Sequence, residues 1–80
     1  MKLIETEWHN YRRKVIPTVA PEVQIIESRR AFFAGAWAYY SLVMEHLQPG
    51  AEPTDADMKF MADLDEEMRQ FGARVKRGEA

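Results

Sequence analysis

The stretch that most constrains this chain is residues 27–46, "ESRRAFFAGAWAYYSLVMEH". Between Ala31 and Met44 its polarity is limited to Ser41 and the hydroxyls of Tyr39 and Tyr40. A helix wound from it is apolar nearly all the way round, and such a helix belongs inside something larger than itself. A membrane is the first such environment to test. A span takes roughly 20 apolar residues, and this run is shorter, closed by Arg29 and Arg30 on one side and Glu45 and His46 on the other. The opening "MKLIETEWHN" carries charge where a signal peptide would place an apolar core, so neither a membrane span nor a leader is expected.

Size sharpens the problem. With 80 residues, a single core rarely supplies more than about 3–5 kcal/mol unless disulfides, metal or oligomerisation assist. There is no cysteine, hence no disulfide and no thiolate site. His9 and His46 are far apart and lack the spacing of a metal pair, so no metal and no cofactor are expected. Oligomerisation is the remaining support.

Breaks and spacing divide the chain into three helices. In "KLIETEWHNYRRKV" the residues Ile4, Trp8, Tyr11 and Val15 share a face, which predicts a short helix over about 3–15. Pro17 turns Ile16 away from helical dihedrals, and Pro21 suits the first turn of the next helix, where its missing N–H is not needed. That second helix is expected over about 21–47, ended by Pro49 and Gly50. Its faces are a bulky one (Ile26, Phe33, Trp37, Tyr40, Met44), a second apolar one (Ile25, Phe32, Ala36, Tyr39, Val43) and a narrow one of small residues with Gln24, Ala31, Gly35, Ala38 and Leu42. The third is expected over about 55–76, opening at Thr54 with Asp57 three residues on, a capping-box variant. Its Met61, Leu64, Met68, Phe71 and Val75 form a seam at alternating spacings of three and four, suited to lying along another helix. The short "QPGAEP" link predicts that the two long helices run antiparallel. The fold class is all-α, one helical domain over residues 1–80. Two amphipathic neighbours cannot cover the second helix, so a homo-oligomer is expected with that helix at its centre and Ala31, Gly35, Trp37, Ala38 and Leu42 at the interface.

Charge is unevenly placed beneath a net value of −2. Residues 1–30 carry Lys2, Arg12, Arg13, Lys14, Arg29 and Arg30, whereas "DADMKFMADLDEEM" is acidic and the tail from Arg69 is basic again. Duplex nucleic acid requires a continuous basic stripe, which the acidic block interrupts, so duplex binding is not expected. No Ser–His–Asp or Cys–His arrangement and no glycine-rich phosphate loop is present. Asp63 and Glu67 share a face in a charged run that nothing buries, so the chain is not expected to be an enzyme.

The pattern formed by Trp8, Tyr11, Pro17, Ala20, Pro21, Gln24, Glu27 and the run Arg29 to Gly35 resembles a set of small bacteriophage proteins, over about half the chain. That set is similar in turn to the anti-CBASS cyclic-nucleotide sponges, small helical tetramers that bind the cyclic nucleotide signals of bacterial immunity without cleaving them. The resemblance implies a phage protein acting in the cytoplasm of the infected bacterial host, a tetramer or else a dimer, with a cyclic di- or oligonucleotide as ligand. Such a ligand needs cations for its phosphates, aromatic planes for its bases and an amide for base edges. Trp8, Tyr11, Arg12, Gln24, Arg29, Arg30 and Phe33 are the candidates. Each also has a plainer role. Trp8 and Tyr11 lie on an apolar stripe, Arg12 lies in a last helical turn, Arg29 or Arg30 can pair with Glu27 or with an acid of the third helix, and Gln24 lies on a helix-packing face. Two readings of another kind stay open: an inhibitor of a host defence protein, anti-CRISPR-like, working through the acids of the third helix, and a structural phage component.

Overall fold

The computed structural model describes residues 1–47, 50 and 52–80, and among them every regular element is helical. Three helices follow in order: α1 (Leu3–Val15), α2 (Glu22–His46) and α3 (Asp55–Lys76). By proximity along the backbone the chain divides into two compact units, Met1–Leu42 and Val43–Ala80, with the boundary inside α2.

In the first unit, α1 ends where Pro17 requires it to. Ile16 turns to extended dihedrals (φ −91°, ψ 125°) while its N–H still reaches the Arg12 carbonyl, the behaviour expected of a residue that precedes proline. The Ala20 N–H closes a turn on the Pro17 carbonyl at 3.0 Å, and the Pro21 carbonyl then accepts from Gln24 and Ile25 to start α2. Proline thus stands just ahead of the helix, where it has no N–H to leave unsatisfied. The core of this unit is built on Trp8, 2% exposed, with Ile16 the other buried apolar residue. The Trp8 ring lies 5.6 Å from Phe32 and 6.1 Å from Tyr11, and Tyr11 lies 5.4 Å from Phe32, all tilted. Three rings at these spacings favour offset and edge-on contact, and they set α1 on the Phe32 side of α2.

In the second unit, Thr54 and Asp57 form a reciprocal capping box. The Asp57 N–H donates to the Thr54 hydroxyl and the Thr54 N–H donates to the Asp57 carboxylate, both at 3.0 Å. Two backbone donors that the helix leaves without partners are thereby satisfied, and Asp57 is only 5% exposed. At the other end Gly78 takes φ 73°. Its N–H reaches the Val75 carbonyl, and the Glu79 N–H reaches Arg74, the paired bonds of a Schellman stop. Within this unit the His46 ring stacks on Phe60 with centroids 4.8 Å apart. Val43 and Leu47 share a cleft with Met58 and Met61.

Pro49, expected to end the second helix, lies outside the described residues; α2 is helical to His46. Not one residue of the 25 in α2 is buried. Trp37 is 68% exposed, and Ile26, Tyr39, Tyr40, Leu42 and Met44 are exposed with it. No helix among the described residues is long and apolar enough to cross a membrane.

Candidate functional site

The helical repeat of α2 places Ile26, Arg29, Arg30 and Phe33 on one stripe, at successive spacings of three, one and three. In the structure these four line a cleft of about 330 Å³. The two arginines are held differently. Arg29 donates from both terminal nitrogens to the two carboxylate oxygens of Glu5 on α1, each at 2.8 Å. Its guanidinium carbon also lies 4.6 Å from the centre of the Phe33 ring. A two-pronged pairing fixes the guanidinium plane as well as its position, and stacking on an aromatic face adds a cation–π attraction. The Arg29 hydrogen bond is the main reason the Glu5 carboxyl titrates below its ordinary value, and the same bond raises Arg29.

Among the described residues Arg30 has only Glu27, one turn earlier, at 3.3 Å. Both side chains of that pair are largely in solvent, 75% and 65% exposed. Exposed pairs of this kind contribute about 0–1 kcal/mol, so an anion can displace Glu27 at little cost. The cleft therefore has one guanidinium already committed, one available, an aromatic ring at Phe33 with Arg29 over one of its faces, and an aliphatic wall at Ile26. Chemically this is a place for a phosphate beside a planar apolar group.

The other candidates from the sequence do not converge there. Trp8 is enclosed by Tyr11 and Phe32 and has no open ring face for a base; its work is packing. Tyr11 borders a separate cleft with Ser28, Ala31 and Phe32. Arg12 borders a third, of about 400 Å³, with His9, Arg13, Ile16 and Ile25. Gln24 is exposed and joins none of these clefts. Arg29, Arg30 and Phe33 are the three candidates that come together.

Two contributors were not foreseen. Arg30 takes the expected Glu27, whereas the partner of Arg29 is Glu5. An isolated acid in the first turn of an amphipathic helix carries no signal of a partner 24 positions away. Phe32, on the second apolar face of α2, completes the ring cluster of α1. The spacing of α2 had separated Phe32 and Phe33 onto different faces, but it could not say which face α1 would choose.

A cleft of about 580 Å³ lies in the second unit among Val43, Leu47, Pro53, Met58 and Met61, with Glu52 and Asp57 as its charged groups. With two acids and no cation among the described residues that line it, it is unsuited to an anion. Among the described residues no group of three histidines or acids is arranged to hold a metal ion. Comparison with protein-family models, with curated proteins and with solved structures found no match.

Proposed function

We infer that this protein assembles through α2 and captures a cyclic oligonucleotide, such as a cyclic dinucleotide, without cleaving it. On this reading it is a phage anti-defence sponge acting in the cytoplasm of the infected host, and it withholds the signal from a CBASS-type effector. The observation that carries the reading is the Ile26–Arg29–Arg30–Phe33 cleft, with a weakly held guanidinium beside an aromatic plane. About 330 Å³ is at the bottom of the range of ~300–1,000 Å³ for pockets that enclose a drug-sized ligand. A ligand with two bases and two phosphates needs more wall than one cleft offers. A second copy related by a two-fold axis supplies it and doubles each group for a ligand of matching symmetry.

The bare apolar surface of α2 supports the same arrangement. Ala31, Gly35, Trp37, Ala38 and Leu42 are all exposed within the chain, and a tetramer, or at the least a dimer, would cover them. The acids of α3 favour a host-protein inhibitor less, because Asp63 and Asp65 are already paired to Lys59 and Arg69 at 2.8 and 2.7 Å.

The test is a binding screen of the purified protein against cyclic di- and trinucleotides, followed by heat denaturation and chromatography of what is released. One intact nucleotide recovered supports the sponge. A cleaved product would make the protein an enzyme, and binding of none would end this reading in favour of a protein target.

A further inference from the structure

The seam of α3 is only half used. Met61 faces the cleft beneath Val43 and Leu47, and Leu64 is half-buried. Beyond it Met68, Phe71 and Val75 are 60%, 53% and 50% exposed. Spacings of three and four through these residues make a stripe that interlocks with another helix. The charges beside the stripe indicate which helix that is.

Most charged side chains of α3 are satisfied along their own helix. Lys59 pairs with Asp63 and Arg69 with Asp65, each four residues apart, and Gln70 donates to Glu66. Glu67 and Arg74 differ. They flank the seam on the same side, two turns apart, and among the described residues neither enters an ion pair. One is an acid and the other a base, so each has the other's complement on a second copy of the same helix.

We propose that the exposed half of α3 pairs antiparallel with α3 of a second copy of this chain about a two-fold axis close to residues 69 and 70. In that register Met68 of one copy meets Phe71 of the other, Leu64 meets Val75, and Glu67 faces Arg74 at two symmetric places. The acidic first half of each helix then lies beside the basic second half of its partner, and the opposed macrodipoles attract. Parallel pairing loses all of this. It sets Glu67 beside Gly72 and Asp65 beside Phe60, forms no ion pair within the helix and aligns like halves. The antiparallel contact is isologous, so it closes on two copies and leaves no free end. It is a second interface, separate from the one proposed on α2.

Sedimentation equilibrium of the full chain over a range of concentrations tests it. Arg74→Glu turns two attractions into repulsions at exposed positions and is expected to weaken one association step by on the order of tenfold. Arg74→Lys should retain that step, and the doubly exchanged E67R/R74E should restore it, which shows that the single variant acts through pairing and not through misfolding. An R74E chain that assembles like wild type, a double exchange that fails to restore assembly, or a wild-type chain that stays monomeric would each overturn the pairing. Gly35→Leu reports on the α2 interface alone, so failure of the α2 reading and failure of this one are told apart.

Discussion

Arg29 and Glu5 join two helices across 24 positions of sequence through two hydrogen bonds of 2.8 Å each. The pair ties α1 to α2 while Arg29 lies over Phe33, so one contact serves both the fold of the first unit and the shape of the cleft. Its pH dependence follows from sign. The Glu5 carboxyl is lowered from its ordinary 4.5, first by the Arg29 hydrogen bond. A group depressed in the folded state stabilises it above the unfolded value, and that contribution fades as pH falls through the folded value. We predict that carboxyl-resolved NMR titration finds Glu5 below 4.5 in the wild type and back near it in Arg29→Ala. A Glu5 midpoint unchanged by Arg29→Ala would refute the pairing.

For ligand binding, the two arginines should separate. Arg30→Ala is predicted to lose about ten- to a hundredfold in cyclic-nucleotide affinity, the worth of one charged hydrogen bond, with helix content unchanged. Arg29→Ala should lower both affinity and thermal stability, because it also releases Glu5 and Phe33. Isothermal titration alongside thermal melts separates the two effects, and equal melting losses in both variants would contradict the assignment.

Trp8 and Trp37 form a natural pair of probes. Trp8→Ala removes a large side chain buried to 2% exposure, a change that costs about 3–5 kcal/mol. A core of this size supplies no more than that, so the variant is predicted to be largely unfolded at low concentration by circular dichroism. Trp37→Ala removes a side chain that is 68% exposed and should leave the isolated fold intact while weakening assembly.

Gly35 gives a clean handle on that assembly. A Cβ built there meets nothing within 4 Å beyond the helix's own backbone and the position is exposed, so Gly35→Leu is expected to be accommodated within the chain and to improve local helix propensity. If the narrow face is an interface between copies, the variant should show lower mass by light scattering with its helicity kept. Unchanged mass would retire that face.

The start of α3 should answer to its cap. Thr54→Ala removes the hydroxyl that accepts from Asp57, at a cost of about 1 kcal/mol. The loss should register as faster amide exchange in the first turn of α3, with α1 unaffected. Unaltered protection at Asp57 would show that the cap does not matter.

The three helices, the end of α1 and the starts of α2 and α3 were legible because they rest on local chemistry. Proline acts on its immediate neighbours, so the break at Ile16 and the start of α2 could be read directly. Thr54 and Asp57 are three residues apart and cap each other whatever else the chain does. The site was legible only in part. Arg29, Arg30 and Phe33 lie within five residues on one helical stripe, and so they come together by periodicity alone. A ligand would also need the chemistry of Trp8, Tyr11, Arg12 and Gln24, but Gln24 lies on another face of α2 and no spacing in the sequence relates α1 to a particular face of α2.

What the sequence by itself determined, then, is the set of helices and the surplus of apolar surface on α2, because hydrogen bonds between near neighbours and the order of side chains on a helix depend on separations of a few residues. What the tertiary structure alone decided is which face of α2 receives α1, and with it the burial of Trp8 against Phe32 and the commitment of Arg29 to Glu5. Those contacts join residues more than twenty positions apart. Several faces of α2 were apolar enough to accept α1, and ring packing together with one charged pair selected among them.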